Sequence, residues 1–266
     1  MKIGFIGVGN MGGALLRGII EGGVLSPPDI LCCDYDASKS AAFAAEFGVT
    51  AVPDAASLAA SSDMLVLAVK PDAAPSVLGS LTAVLTAQKT VLSIVLGLSI
   101  GKMSELTGGK CKIIRVMPNT PALVGAGMLC VSFGDGFSDG EKAFAASLLK
   151  SCGEVELMDE KYLARVTGLT GSSPAYVFIM LEAMADAAVR NGLPRAMAYR
   201  LAAQAVFGSA KMALAHGAHP GGLKDNVCSP AGSTIEAVRV LEERGFRGAL
   251  IEAIIACDAK AAESSE

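Results

Sequence analysis

Two short stretches of this 266-residue chain combine residue types suited to holding anions, and both stand where a helix should begin. The first is Gly7-Val8-Gly9-Asn10-Met11-Gly12, a Gly-x-Gly-x-x-Gly turn. Its glycines suit a tight turn, a close approach of backbone to a pyrophosphate, and close packing of helix on strand. The helix opening there would turn unpaired N–H groups and its positive dipole end toward phosphates. Asp34, some 22 residues beyond Gly12, lies near the offset at which an acid holds the ribose hydroxyls of a dinucleotide. Its other possible use is to cap a helix starting near Ser38. The second stretch is Gly232-Ser233-Thr234, in a segment running from Lys224 to Glu236. Ser233 and Glu236 have capping-box spacing ahead of Ile235, Val238 and Leu241. The segment therefore reads either as a well-capped helix start or as an anion seat. As a seat, Gly232 keeps bulk away while the amides of Ser233 and Thr234 point out of the helix end. A carboxylate there gains roughly 0.3–1 kcal/mol from the dipole, and the Thr234 hydroxyl beside it can donate or accept.

Placing these residues requires strands before the turns and helices after them. Lys2–Ile6 reads as a short apolar strand, and Met11, Ala14, Leu15, Gly18 and Ile19 recur at helical spacing behind it. Asp29–Asp34 reads as a second strand. Further strand-like runs cover Met64–Val69, Thr90–Val95, Lys112–Val116 and Gly127–Phe133, with Glu154–Leu157 as a last edge strand. Helical pieces over residues 38–47, 55–61, 73–85 and 141–152 alternate with them. Such alternation predicts a mostly parallel, Rossmann-type sheet with helices on both faces. Ligands bind such sheets at the carboxyl ends of the strands. Two loops at such ends stand out, Val69-Lys70-Pro71 and Met117-Pro118-Asn119-Thr120-Pro121, although the pattern alone also fits rigid turns. From about residue 160 the strand-like runs stop. Four helices follow: one opened by Pro174 and ended at Asn191-Gly192, one from Pro194 to near His216-Gly217, one over Thr234–Glu243, and one from Phe246 to near Lys260. The domains predicted are 1–159, which binds the dinucleotide, and 160–266, all-α. About 107 residues of alanine-rich helix give a thin core, which points to a bundle shared between subunits.

Composition narrows the classes. Hydrophobic residues make up 52% and charged residues 18%, the balance of a compact soluble protein. A net charge of −4 with no Lys/Arg cluster argues against nucleic acid and anionic membranes as partners. No run is long and apolar enough for a transmembrane helix or a signal peptide. Seven cysteines without a C-x-x-C pair, and only His216 and His219, give no standard zinc site and suggest reduced thiols in a cytoplasm.

At the level of whole motifs the chain resembles the pyrroline-5-carboxylate reductase family. The resemblance rests on Phe5–Gly12, Ala68–Pro71, Arg115–Pro121, Gly168-Leu169-Thr170-Gly171-Ser172-Ser173-Pro174-Ala175-Tyr176 and the 224–236 segment. It implies NAD(P)H-dependent reduction of the cyclic imine L-1-pyrroline-5-carboxylate to L-proline. It also implies a dinucleotide-binding domain followed by a helical domain that dimerises, often into a ring of dimers. Gly232, Ser233 and Thr234 would hold the substrate carboxylate, with the Thr234 hydroxyl on the ring nitrogen as the catalytic group. Gly171 and Ser172 would lie on the substrate side, and Val69, Lys70, Pro71 and Asn119 beside the nicotinamide and ribose. The pattern departs from the family's at Ala231, where a glycine is common. By charge, Asp34 and Asp36 repel a 2′-phosphate and the nearest cation is Lys39, so these residues favour NADH. Two rivals remain. A related imine or 3-hydroxy-acid dehydrogenase is one; the latter would need a lysine soon after Gly168-x-x-Gly171, and none comes until Lys211. A non-catalytic dinucleotide-binding scaffold is the other, and retention of Asn119, Gly232 and Thr234 together argues against it.

Overall fold

In the computed structural model, which describes residues 1–217 and 219–263, the strands join one eight-stranded sheet. They are β1 (Ile3–Ile6), β2 (Ile30–Cys33), β3 (Thr50–Ala51), β4 (Met64–Leu67), β5 (Thr90–Ser93), β6 (Lys112–Met117), β7 (Gly127–Phe133) and β8 (Gly153–Leu157). The order is β3-β2-β1-β4-β5-β6-β7-β8, with β8 at the edge as predicted. All pairs are parallel except β6–β7. That pair is antiparallel because the connection 118–126 is shorter than the dozen or more residues a parallel crossover needs.

The helices between strands are α1 (Asn10–Glu21), α2 (Ala37–Phe47), α3 (Ala55–Ser61), α4 (Ala74–Leu81), α5 (Ile100–Leu106) and α6 (Asp139–Lys150). Strands β1, β2, β4 and β5 are buried along their whole length, yet their side chains alternate between two cores. Ile3, Phe5, Met64 and Val66 join α1 and α6 residues such as Leu15, Leu16, Ile19 and Leu148. Ile6, Leu65 and Leu67 join Leu58, Leu78, Leu81 and Met103 from α3, α4 and α5. A sheet buried on both faces is what a parallel topology requires. Strand order reverses beside β1, so the Gly7–Gly12 turn stands at the switch point where such sheets bind ligands.

After the sheet come α7 (Glu160–Leu163), a π-helical turn (Thr167–Gly171), α8 (Ser173–Arg190), α9 (Arg195–His216), α10 (Pro220–Val227), α11 (Ser233–Glu243) and α12 (Phe246–Glu263). The chain forms two compact units, Met1–Ser172 with the chain from Cys257 onward, and Ser173–Ala256. In the second unit α8 packs along α9. Its buried hydrophobic residues, among those described, are only Ala185, Ala198 and Ala202, while Phe178, Ile179, Phe207, Met212, Ile251 and Ile255 stand exposed. Among the described residues no helix is long and apolar enough to cross a membrane.

Several elements differ from the sequence expectation. β3 is two exposed residues and carries no apolar signal. α5 hides behind the apolar run ending at Leu98, and its start is marked only by Ser99, whose hydroxyl accepts the Lys102 N–H at 3.1 Å. α10 contains Gly221-Gly222, poor helix formers, and is started instead by Pro220 and by the His219 ring accepting the Gly221 N–H at 3.0 Å. The helix expected over 73–85 ends at Leu81, where the chain tightens into turns closed by Val84 and Leu85 N–H on the Leu81 carbonyl.

Candidate active site

The first turn is shaped by exclusion. Gly7 has φ +96°, and its N–H donates to the Cys33 carbonyl at 2.8 Å, tying the turn to β2. A Cβ on Gly12 would lie 2.2 Å from the Gly7 oxygen and 2.8 Å from the Ala68 Cβ, so α1 seats on the turn only without a side chain there. A Cβ on Gly9 would meet nothing within 4 Å, which leaves open space over the turn. No side chain caps α1, and its first helical bond runs from Gly13 N–H to the Gly9 carbonyl at 2.7 Å. The amides of Asn10, Met11 and Gly12 ahead of it therefore lack intrahelical acceptors. An uncapped helix start with open space above it fits a dinucleotide pyrophosphate.

Asp34 does not cap α2. Asp36 does, accepting the Ser38 N–H at 3.0 Å. The Ser38 hydroxyl first, and then that bond, hold the Asp36 carboxyl below its usual range. Asp34 Oδ2 instead accepts the Val8 N–H at 2.8 Å, and Oδ1 accepts the Asp36 N–H at 3.0 Å. The acid braces the glycine turn and still has lone pairs free for ribose hydroxyls. Val8 itself is a core residue, 3% exposed, whose N–H is already taken. Burial pushes the neighbouring thiols up, Cys32 to about 11 and Cys33 to about 12, with the Asp34 charge adding to both. These thiols stay neutral and unreactive beside the turn.

Past β4, Val69 is half-buried and Lys70 exposed. The loop Lys70–Pro71 is fixed by Ala73 and Ala74 N–H donating to its carbonyls at 3.1 and 3.3 Å. Asn119, only 9% exposed, spends its side chain within the protein. Its Oδ1 accepts the Met128 N–H of β7 at 2.8 Å, and its Nδ2 donates to the Thr170 carbonyl at 2.9 Å. It thereby meets the π-helical turn that carries Gly171 and leads to Ser172. The same turn is held by Asp258 and Cys257 of α12, which the sequence reading did not single out. Nothing in local periodicity marks those contacts, which cross 85 and 90 residues. An enclosed cavity lined in part by Arg115, Met117 and Thr167 has a volume of about 10 Å³, room for one water and too small for a ring substrate.

In the second unit the capping box does not form. α11 begins at Ser233 with Gly232 as its N-cap, so Ser233 and Glu236 fall one position late, and Glu236 pairs with Arg239 instead. The cause lies upstream. The Gly232 N–H closes a turn on the Ser229 carbonyl at 3.0 Å, and Ala231 sits at φ +58°, which brings the chain into the helix early. A Cβ on Gly232 would lie 2.3 Å from the Ser229 Oγ and 3.1 Å from the Ser229 carbonyl oxygen, so a side chain there would force Ser229 to shift. No side chain caps this helix, and the amides of Ser233 and Thr234 occupy its first turn, where backbone donors have no intrahelical acceptor. Thr234 is half-buried there.

Comparison with known proteins bears on the whole chain. Residues 160–264 match the family described as pyrroline-5-carboxylate reductase dimerisation, and residues 2–97 match one described as NADP oxidoreductase, coenzyme F420-dependent. The pyrroline-5-carboxylate reductase of Escherichia coli K12 is 48% identical over 265 residues, covering 100% of this chain and 98% of its own. A Coxiella burnetii pyrroline-5-carboxylate reductase structure superposes with a TM-score of 0.93 at 32% identity, covering 100% and 98% of the two chains. A Plasmodium falciparum pyrroline carboxylate reductase solved with NADP bound gives 0.89 at 33% identity and the same coverage. By end-to-end similarity to such enzymes, the chain belongs to the pyrroline-5-carboxylate reductase family.

Proposed function

We propose that this protein reduces 1-pyrroline-5-carboxylate to proline, and that the observation carrying this reading is the uncapped start of α11 with Thr234 in its first turn. The nicotinamide cofactor, when bound, supplies a hydride to the imine carbon, and a proton taken up at nitrogen completes the amine. Everything else falls to the chain. The open start of α1 holds the pyrophosphate through the amides of Asn10, Met11 and Gly12, supported from below by Asp34 through Val8. Asp34 also accepts from the ribose. Val69, Lys70 and Pro71, at the end of β4, lie on the nicotinamide side.

The start of α11 holds the substrate carboxylate through the Ser233 and Thr234 amides, which no side chain caps. The Thr234 hydroxyl bonds the ring nitrogen, orienting it or relaying to it a proton drawn from solvent. A protonated iminium is already a good electrophile, so the enzyme mainly positions it. Gly171 and Ser172 border the substrate. The exposed apolar face of the helical unit is covered by a second copy, giving a dimer and, in the fuller assembly, a ring of dimers. The setting proposed is the cytoplasm, on the pattern of seven cysteines without a C-x-x-C pair.

The test mixes protein, the imine and NADH or NADPH, and follows loss of nicotinamide absorbance together with proline. Stoichiometric proline supports the reading. Cofactor binding without proline would assign the chain to the scaffold class. Because Asp34 and Asp36 crowd the ribose end with negative charge, kcat/KM for NADH should equal or exceed that for NADPH. A tenfold or greater preference for NADPH, on the scale of about 1.4 kcal/mol, would remove that reading of Asp34.

A further inference from the structure

We infer that Asn119 and Asp258 are positioning residues that clamp the π-helical turn Thr167–Gly171 into a preset wall for the imine. The inference rests on the proposed reaction, in which Gly171 and Ser172 border the substrate. The turn is closed by the Ser172 N–H on the Thr167 carbonyl at 2.9 Å, a bond spanning five residues. Such turns are rare and occur often at functional sites. A conformation of this kind persists only where its surroundings over-determine it.

Here the surroundings do so from two directions. From the sheet, Asn119 is anchored by the Met128 N–H and donates to the Thr170 carbonyl at 2.9 Å. From α12, Asp258 Oδ1 accepts the Gly168 N–H at 2.6 Å, and the Cys257 thiol donates to the Ser172 hydroxyl at 3.1 Å. Gly168 is buried, so its N–H depends on that carboxylate. Beneath the turn, a Cβ on Gly171 would come 3.0 Å from the Met117 Cε, leaving little room to slide. The middle of the turn is thus tied to the sheet and its ends to a helix more than 80 residues away. With Oδ1 and one N–H committed within the protein, Asn119 acts on the substrate through the turn and not as the cofactor ligand that the resemblance implies.

Three variants separate this from other roles. Asn119→Asp keeps the acceptor for Met128 but sets an oxygen against the Thr170 carbonyl. Asp258→Ala removes the acceptor for Gly168, and Asp258→Asn retains one. Each is measured for kcat and KM with the imine, for NADPH affinity by fluorescence titration, and for hydrogen exchange across residues 164–173. Asn119→Asp and Asp258→Ala are expected to raise KM for the imine about tenfold or more, the scale of a lost buried partner. NADPH affinity should stay within about twofold, and exchange should quicken in that segment, while Asp258→Asn restores the wild-type values. Should Asn119→Asp not fold, the half-buried Asp258 pair carries the test alone. Weakened NADPH binding with unchanged imine KM would make Asn119 a cofactor ligand and overturn the inference. So would unchanged KM in both disruptive variants, or Asp258→Asn failing as badly as Asp258→Ala. A wild type that does not reduce the imine sinks the proposed reaction and the role given to the turn, while exchange still decides whether the clamps exist.

Discussion

At the residue scale, Thr234 is a side chain with little structural duty. It caps nothing, and α11 forms from Gly232 onward without it. Thr234→Ala should therefore leave the fold and NAD(P)H affinity intact while lowering kcat/KM for the imine by about 10²–10⁴, the range for a lost acid–base group. Thr234→Ser should recover most of it, and an unchanged kcat/KM in the alanine variant would remove Thr234 from the mechanism. Ala231, three positions away, makes the opposite case. At φ +58° it holds a left-handed backbone that costs a non-glycine residue roughly 1–2 kcal/mol. Ala231→Gly should give back about 0.5–1 kcal/mol after the entropy of the unfolded glycine is counted, read as a Tm rise of roughly 1–3 °C. The type and offset of Asp34 were legible in the sequence, but not that both its oxygens brace the backbone. A carboxylate's partner 26 residues upstream is a property of the closed sheet, not of local pattern.

At the element scale, what was legible followed periodicity and punctuation. β7 appears with the bounds its apolar run predicts, and α8 and α9 start beside Pro174 and Pro194 as expected. What was not legible had its signal erased by composition or set by tertiary contacts: β3 is exposed, α10 carries two glycines in its first turn, and the π turn is held by residues from β6's loop and α12. The capping box expected at Ser233 is found instead at α6, where Ser138 and Glu141 exchange both bonds. Glu141 also pairs with Lys112 of β6 at 2.6 Å. The Lys112 ammonium first, and then Ser138, hold the Glu141 carboxyl down from 4.5 to about 2. A depressed folded value stabilises the native state above the unfolded value and loses that contribution as pH falls from about 4.5 through about 2. Glu141→Gln should flatten the dependence of Tm on pH in that window and leave it unchanged near neutrality in slope. An equally steep acid limb in the variant would assign it to other carboxylates.

At the scale of the whole molecule, the two units are stabilised differently. The sheet unit has two dense cores, whereas the helical unit buries little more than alanine and exposes Phe178, Phe207 and Ile251. Exposure on that scale marks an association surface. Phe207→Asp, present twice in a symmetric dimer, should weaken dimerisation by about 30-fold or more in sedimentation, with Tm becoming more dependent on concentration. A variant as dimeric as the wild type would place the interface elsewhere. The central claim is that the chain delivers hydride to an imine carbon. Its most direct test is a turnover with NADH or NADPH deuterated at the transferable position, with the proline analysed by mass and NMR. The account predicts one deuterium per proline, on the ring carbon that was double-bonded to nitrogen. Unlabelled proline, label at another carbon, or no proline from a cofactor-loaded protein would contradict it.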